Sequence, residues 1–259
     1  MALLEVRDVV MRFGGVTAVA GVSFDVGERQ ICGLIGPNGA GKTTLFNIIS
    51  GIYRPSEGSV SFAGTDTTAL PRHRMAPLGL GRTFQNLALF RSMSVRENVL
   101  AGAHADGHAG FIANALRLPA ARREEAVAAE RARELLNLLS LNDVADLLVA
   151  DLPFGTQKRV EMARALISRP KLLLLDEPAG GLNHGEVDEL ARLLQQIREN
   201  FDLSILLVEH HMSLVMRVSD KVVALDFGKK IADGTPHEVR TNADVIRAYL
   251  GDGHDAHAA

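Results

Sequence analysis

The stretch Gly36-Pro37-Asn38-Gly39-Ala40-Gly41-Lys42-Thr43-Thr44 decides how the rest of the chain is interpreted. It fits the pattern G-x-x-x-x-G-K-[ST], whose glycines let backbone N–H groups surround phosphate oxygens. A mostly apolar run at residues 30–35 precedes it, as expected of a buried strand, and apolar residues at helical spacing follow it up to Gly51. In this context Lys42 would pair with the β- and γ-phosphates and the Thr43 hydroxyl would bind Mg²⁺. We therefore predict a nucleotide site rather than a glycine turn that only joins two elements.

The composition limits the classes of protein to be considered. The chain has 259 residues, of which 47% are hydrophobic and 23% charged, as in an ordinary globular protein. The formal net charge of -3 gives no basic footprint, so we expect no nucleic-acid partner. The single cysteine, Cys32, excludes a disulfide framework and favours a reducing compartment. No uncharged apolar run approaches the roughly 18 residues of a membrane span, so we expect contact with a membrane only through a partner or a surface.

The first part of the chain has a strand-like pattern. Residues 3–35 contain short apolar runs, which we expect to be broken at Gly14-Gly15, Gly21 and Gly27. A further short strand is predicted at residues 59–62. This region is therefore predicted to be rich in β-structure.

The middle of the chain has a helical pattern. Residues 94–150 are rich in Ala, Leu, Arg and Glu and show no strand-like alternation. A helix is predicted over residues 122–141. The residues predicted for its buried face are Val127, Leu135, Leu138 and Leu139. We interpret this region as a helical subdomain inserted into an α/β core.

The α/β pattern resumes at Lys171. An all-apolar strand at residues 172–175 is of the type that is buried on both faces of a parallel sheet, and further strands are predicted at 204–208 and 222–225. Asn183 and Glu186 have the spacing of a capping box, which predicts that a helix begins there.

Two of these strands end in residues suited to phosphate chemistry. Asp176 and Glu177 follow the strand at 172–175, where the aspartate would hold Mg²⁺ through water and the glutamate would polarise an attacking water. His210 follows the strand at 204–208, from which a neutral imidazole could reach the γ-phosphate. The alternative is that the two acids cap a strand or pair with nearby bases, and that the histidine is a surface residue.

Taken in order, these motifs resemble the ATP-binding subunit of an ABC transporter. Gln85 occupies the position where this family places a side chain that senses Mg²⁺ and the transmembrane partner. The segment Leu152-Pro153-Phe154-Gly155-Thr156-Gln157 resembles the signature, which completes the ATP site of a partner subunit, and Gly181-Leu182-Asn183 resembles the D-loop. Beyond residues 36–44, the resemblance implies ATP contacts at Phe13, which would stack on adenine, and at Val19. The implied catalytic residues are Lys42, Gln85, Glu177 and His210, and the implied metal ligands are Thr43, Gln85 and Asp176.

A narrower resemblance concerns the solute. The segments at residues 82–87, 207–210 and 248–251 are similar to those of the larger ATPase of branched-chain amino acid importers. In that family the ATPase pairs with a second ATPase, two permease subunits and an external binding protein. The implied location is the cytoplasmic face of the plasma (inner) membrane, reached through the permease. Importers of urea or amides and the lipopolysaccharide-export ATPase share much of this pattern, so the solute stays open at this point.

The signature and the D-loop depart from the general pattern of the family. Pro153 replaces a serine, Phe154 a glycine and Thr156 a glutamine. Proline suits the start of a helix but has neither a hydroxyl nor an N–H, so one hydrogen bond to the partner's γ-phosphate is expected to be missing. Asn183 stands at the position of an aspartate and has lost its charge.

These observations predict an α/β fold of the ABC ATPase type, with ATP and Mg²⁺ as cofactors. The resemblance implies a P-loop NTPase core of the RecA type, an N-terminal antiparallel β subdomain and an inserted α-helical subdomain. One ATP-binding domain is predicted over residues 3–251, with the helical subdomain at about 86–165 and a disordered tail at 252–259. The rivals are a soluble ABC ATPase that acts on DNA or ribosomes, and a regulatory module that binds ATP without hydrolysing it. The resemblance leaves open whether the second ATPase is a copy of this chain.

Overall fold

Two sheets and a set of helices form the fold. The computed structural model describes residues 2–83, 87–103 and 119–251. The strands are β1 (Ala2–Phe13), β2 (Val16–Gly27), β3 (Ile31–Ile35), β4 (Glu57–Phe62), β5 (Thr65–Asp66), β6 (Leu80–Arg82), β7 (Leu172–Asp176), β8 (Ser204–Val208), β9 (Lys221–Asp226) and β10 (Lys229–Gly234). The helices are α1 (Lys42–Ile49), α2 (Met75–Leu78), α3 (Val95–Gly102), α4 (Pro119–Leu138), α5 (Phe154–Leu166), α6 (His184–Phe201), α7 (Met212–Val218), α8 (Pro236–Thr241) and α9 (Ala243–Gly251). None of the helices in the described ranges is long and apolar enough to cross a bilayer.

The first sheet is antiparallel, as predicted, and has the strand order β2-β1-β4-β5. The predicted break at Gly21 is wrong, because β2 continues through it. Val9 pairs with Val22 and its neighbour Val10 pairs with Ala20, so Gly21 is the extra residue of a β-bulge. Its φ of 76° lies in the left-handed region that glycine adopts without strain. The glycine therefore bends a long strand instead of ending it.

The second sheet has the order β10-β9-β3-β8-β7-β6. All its pairs are parallel except β10 with β9, which closes one edge as an antiparallel ribbon. Every residue of β3, β7 and β8 is buried, as the continuous apolar runs predict. Because β3, β7 and β8 are parallel neighbours, the segments that follow them meet at one edge of the sheet. This edge positions the site.

Alternate residues of the second sheet pack into two different cores. Leu173 and Leu175 of β7 pack with the helical segments, including α3, α5 and α6. Leu172 and Leu174 pack with α1 and the first sheet. Because successive side chains of a strand point to opposite faces, the buried second sheet packs against helices on one face and against α1 and the first sheet on the other.

The helix predicted in the middle of the chain is confirmed, but one residue of its predicted buried face is exposed. Leu135 and Leu139 are buried, whereas Val127 is 51% exposed, so its assignment to the buried face is wrong. The core-facing part of α4 is its last two turns, and the preceding residues are mostly exposed. The helix also ends at Leu138 rather than at residue 141, and Ser140 has a φ of 54°. The subdomain limits of 86–165 stay a prediction, and the predicted tail at 252–259 lies outside the described residues.

Candidate nucleotide site

The loop between β3 and α1 is folded around the side chain of Lys42. The Lys42 Nζ atom donates to the carbonyl oxygens of Gly36 and Pro37, at 2.6 Å and 2.8 Å. Gly41 precedes the helix with a φ of 97°, and a Cβ atom built on it would lie 2.5 Å from the Ala18 carbonyl oxygen. Only glycine fits at this point, so the loop can pass close to β2 and leave its N–H groups available for an anion.

The Lys42 ammonium is buried within this loop. Burial lowers the pKa of Lys42, while the charge of Glu177 opposes that shift. The amine is held by carbonyl oxygens of its own loop, which are neutral acceptors. An anionic phosphate is a stronger acceptor for an ammonium group, so the side chain is placed to exchange these bonds for bonds to phosphate.

A buried arginine joins helix α1 to the end of β7. Arg82 donates to Asn47 Oδ1 at 2.8 Å and to the Ser50 hydroxyl of the segment ending α1. Its guanidinium also lies 3.4 Å from Asp176 Oδ2 and 4.7 Å from the centre of the Phe46 ring. The Arg82 and Asp176 side chains are 11% and 4% exposed. The contact therefore belongs to the interior rather than to the surface.

Asp176 and Thr43 have the oxygen donors that Mg²⁺ prefers. Burial raises the pKa of Asp176, and the neighbouring Arg82 opposes that shift. Thr43 is exposed at the first turn of α1, on the side of the loop that faces solvent. In the described ranges no group of three or more His, Cys, Asp or Glu side chains forms a closed metal cluster. One carboxylate and one hydroxyl fit an ion that takes its other ligands from water and phosphates, which is how Mg²⁺ is commonly held.

Glu177 and His210 form a pair at the sheet edge. The His210 Nε2 atom lies 2.6 Å from Glu177 Oε1. Glu177 has a φ of 48°, which is uncommon for a residue with a Cβ atom and is found at strained functional positions. Its side chain is 23% exposed, so water can reach the carboxylate. The structure therefore brings together an acid and an imidazole that the sequence places 33 residues apart.

Two exposed aromatic residues contact each other between the end of β1 and the segment after α1. Phe13 at the end of β1 is 43% exposed and Tyr53, after α1, is 37% exposed. Their rings meet edge to face, with centroids 5.4 Å apart. Val19 is buried, and its Cγ2 atom would lie 3.5 Å from a Cβ atom on Gly41. Each ring keeps an exposed apolar face, while the buried Val19 packs against the loop at Gly41.

The segment at residues 153–157 forms the exposed beginning of α5. Pro153 is the N-cap with a φ of -56°, and no side chain caps this helix. Gln157 Nε2 donates to the Leu152 carbonyl oxygen at 2.8 Å, which ties the first turn to the preceding chain. The Phe154 ring packs on Gly181, and Glu186 Oε1 approaches Gly155. The helix start is thus anchored to the loop after β7 and presents its free end to solvent.

The loop at Gly181-Leu182-Asn183 leads into α6. Asn183 accepts from the Glu186 N–H at 3.0 Å, and Glu186 Oε2 accepts from the Asn183 N–H at 2.8 Å. This confirms the predicted capping box. The Asn183 side chain is therefore engaged in starting α6.

Comparison with known proteins decides the family. The family described as "ABC transporter" matches residues 19–180, which is more than half of the chain. A second family, described as "Branched-chain amino acid ATP-binding cassette transporter", matches residues 229–255.

The chain belongs to the ABC transporter family.

Relatives and solved structures agree with this assignment. The chain is 44% identical over 250 residues to the "High-affinity branched-chain amino acid transport ATP-binding protein BraF" of Pseudomonas aeruginosa, covering 96% of this chain and 98% of that protein. It is 42% identical to the "High-affinity branched-chain amino acid transport ATP-binding protein LivG" of Escherichia coli (strain K12), again covering 96% of this chain and 98% of that protein. A crystal structure of a nucleotide-free ATP-binding cassette from an ABC transporter superposes with a TM-score of 0.83 at 29% identity, covering 96% of this chain and 99% of that one. The predicted ABC ATPase fold is confirmed.

Four of the predicted ABC site residues lie at the same edge of the second sheet. Lys42 comes after β3, Asp176 ends β7 and Glu177 follows it, and His210 comes after β8. Gln85, predicted to act in catalysis and in metal binding, lies outside the described residues. Its roles stay predictions.

Sequence reasoning gave no role to several residues that this ABC fold brings to the site. They are Tyr53 beside Phe13, Arg82 beside Asp176, Lys158 beside Glu177, and Glu209 beside Ala179. Each contact joins residues that are distant in sequence, and no local pattern marks it. A charged residue next to an apolar run could have marked one of them, because Glu209 directly follows the apolar strand β8.

Proposed function

We propose that this chain is the ATP-hydrolysing subunit of a membrane importer of branched-chain amino acids. One observation carries the catalytic part, namely the Glu177–His210 pair beside the buried Lys42 and Asp176 at a single sheet edge. The names of its relatives support the solute, and so does the match of residues 229–255 to a family of branched-chain amino acid transporters.

In this proposal each side chain has one task. Lys42 moves from the loop carbonyls to the β- and γ-phosphates, and the N–H groups of residues 36–44 surround the phosphate oxygens. Thr43 and Asp176 would hold Mg²⁺, which would supply positive charge to offset the negative charge that develops on the phosphates. Glu177 orients a water for attack and accepts its proton, and His210 holds the carboxylate and the γ-phosphate in line. The Phe13–Tyr53 pair supplies the surface for adenine.

The exposed start of α5 fits a role toward a second ATPase. Pro153 and Phe154 are exposed, and the unpaired N–H groups of the first turn attract an anion. We propose that this end closes over the γ-phosphate held by the partner subunit. ATP would then join the two subunits, and its hydrolysis would release them. Pro153 adds no hydroxyl and no N–H to this contact, so one hydrogen bond to the partner's γ-phosphate would be missing.

An exposed apolar patch fits the permease. The chain segments at residues 93–95 and 147–149 are hydrogen-bonded to each other, through Val95 N to Leu147 O and Val149 N to Met93 O, both at 3.1 Å. The patch consists of Phe90, Met93, Leu147 and Leu148, each 38% exposed or more. Contiguous exposed apolar residues mark protein contacts. We propose that a cytoplasmic helix of one permease subunit binds here, which would place the ATPase at the inner face of the membrane.

A paired experiment tests this function. The chain is co-expressed with its candidate permease subunits and second ATPase, and the purified complex is assayed for phosphate release. Glu177→Gln should reduce hydrolysis by about 10²–10⁴-fold while ATP binding is retained, because only the proton acceptor is lost. Normal hydrolysis by this variant would show that Glu177 is not the base. Stimulation of the wild-type complex by a leucine-loaded binding protein supports the solute, whereas stimulation by urea, amides or lipopolysaccharide alone would refute it.

A further inference from the structure

The turn that carries Glu177 is held by residues to which the mechanism assigns no task. Glu177 adopts a left-handed backbone conformation with a φ of 48°, which costs on the order of 1 kcal/mol or more and persists only where surrounding contacts enforce it. Its own N–H donates to the Val208 carbonyl oxygen at 2.9 Å, and its carbonyl oxygen accepts from the Gly180 N–H at 3.1 Å. These two bonds hold the ends of the turn, and other contacts must hold the residues between them.

Lys158 contacts the turn from the signature helix α5. Its Nζ atom donates to the carbonyl oxygens of Glu177 and Pro178, at 2.9 Å and 3.0 Å. The same ammonium lies 5.3 Å from the centre of the Phe154 ring, one helical turn earlier. Phe154 in turn packs on Gly181. One side chain therefore links the beginning of α5 to the backbone of the catalytic turn.

Glu209 contacts the same turn from the end of β8. It is 1% exposed, and its Oε1 atom accepts from the Ala179 N–H at 2.6 Å. Its Oε2 atom accepts from the His210 N–H at 3.0 Å. A single buried carboxylate thus orients both the residue after Pro178 and the backbone of the histidine that pairs with Glu177.

The two charges support each other in the interior. Burial lowers the pKa of Lys158, and nearby carboxylates, Glu209 first, oppose that shift. An ammonium that donates to two carbonyl oxygens beside a buried carboxylate is paired in the way that buried charges require. The contacts are therefore a built feature of this site and not a surface ion pair.

We propose that Lys158 is a positioning residue for Glu177, which ties the catalytic turn to the helix whose free end meets the partner's ATP. This inference rests on the proposed function, because it links two ATP sites that only a pair of ATPases would form. A shift of α5 on closure over the partner's phosphate would move the Glu177 and Pro178 carbonyls through the Lys158 ammonium.

The test compares Lys158→Met with a matched control on the next residue, Arg159→Met. Methionine keeps the length of the side chain and its contact with Phe154, and it removes the donors. Arg159 forms an ion pair with the exposed Glu189, at a position that does not touch the turn, so its loss should change little. In the assembled complex, Lys158→Met should lower kcat by about 10- to 100-fold, because a catalytic group is misplaced. The affinity for a fluorescent ATP analogue should stay within about twofold.

Two further measurements separate positioning from a general loss of structure. Hydrogen exchange in the peptide covering residues 176–182 should become faster in Lys158→Met, since the Gly180 N–H donates to the carbonyl that Lys158 holds, and should be unchanged in Arg159→Met. Lys158→Arg, which keeps the donors, should recover most of the activity.

Three outcomes would overturn or redirect the idea. If Lys158→Met behaves like Arg159→Met in both kcat and exchange, Lys158 does not position the turn. If Lys158→Arg is as impaired as Lys158→Met, side-chain size rather than hydrogen bonding is responsible. If the wild-type complex does not hydrolyse ATP, the proposed function fails, while the exchange measurement still decides whether Lys158 holds the turn.

Discussion

The His210 Nε2 atom and the Glu177 Oε1 atom lie 2.6 Å apart at the edge of the second sheet. This contact follows from the register of two parallel strands, in which Asp176 of β7 is the partner of Val208 of β8. The residues that follow each strand must then be neighbours. Glu177 is placed to act as a base, and the imidazole fixes the rotamer of the carboxylate that would face the attacking water.

His210 should therefore affect hydrolysis more than binding. We expect His210→Ala to lower kcat by about 10²-fold or more, because both the orientation of Glu177 and the contact with the γ-phosphate are lost. The affinity for ATP should change little, since Lys42 and the loop N–H groups remain. Phosphate release and the binding of a fluorescent ATP analogue would be measured on the same preparation. His237→Ala is the control, because this exposed histidine lies on α8, outside the turn that carries Glu177. A parallel loss of binding would contradict this division of tasks.

Arg82 and Arg96 offer a comparison of a buried and an exposed ion pair. Arg82 meets Asp176 with side chains 11% and 4% exposed, whereas Arg96 meets Asp146 with side chains 42% and 81% exposed. Removing one member of a buried pair leaves an uncompensated charge and typically costs about 3–5 kcal/mol, while an exposed pair is worth about 0–1 kcal/mol. Arg82→Met should therefore lower the free energy of unfolding far more than Arg96→Met. Urea unfolding at neutral pH measures both. If Arg82→Met lost no more unfolding free energy than Arg96→Met, the Arg82 contacts with α1 and β7 would add no more stability than an exposed ion pair.

The sequence predicts those parts of the fold whose chemistry is local. A loop that surrounds phosphate needs glycines at fixed spacing, and strands buried on both faces need unbroken apolar runs such as residues 172–175. The capping box of Asn183 and Glu186 is likewise complete within four residues. In each case one short segment contains the whole physical cause, so the position and type of the element could be predicted.

Other features depend on partners that lie far along the chain. Arg82 meets Asp176 across 94 positions, and Glu209 meets Ala179 across 30. Nothing near either charged residue indicates what it will contact. Gly21 was expected to break a strand, but the cross-strand pairing of β1 and β2 carries the strand through a bulge. Tertiary packing, rather than local preference, decides these cases.

Val127 and Leu135 show the same limit on one helix. Both fit a helical stripe in sequence, yet Val127 is 51% exposed and Leu135 is 2% exposed. Leu135→Ala should cost about 2–5 kcal/mol because it leaves a cavity among α3, α4 and α5. Val127→Ala should stay within about 0.5 kcal/mol. Chemical denaturation of the two variants measures both losses, and a large loss of unfolding free energy in Val127→Ala would show that this side chain is buried.

Cys32 is a built-in probe of opening at the strand that leads into the phosphate loop. The thiol is fully buried in β3, and burial raises its pKa from 9.0 to about 12. A protonated, buried thiol does not react, so a thiol reagent at pH 8 should label Cys32 only when the structure opens. Mg²⁺ and ATP at about 100 times the dissociation constant should slow this labelling by about 100-fold, if opening requires release of the nucleotide. Labelling at the same rate with and without nucleotide would show that β3 opens independently of the site.

The same thiol predicts the sign of a pH effect on stability. Its folded pKa is raised, so its contribution is fully present below the pKa of the unfolded thiol, near 9, and is lost as the pH rises toward 12. Between pH 8 and pH 10 the loss should be about 1.4 kcal/mol, the free energy of one pKa unit. Cys32→Ala removes this group but no other titrating residue. The difference in unfolding free energy between wild type and variant should therefore change by this amount over the interval, and a constant difference would show that Cys32 ionises equally in the folded and unfolded chain.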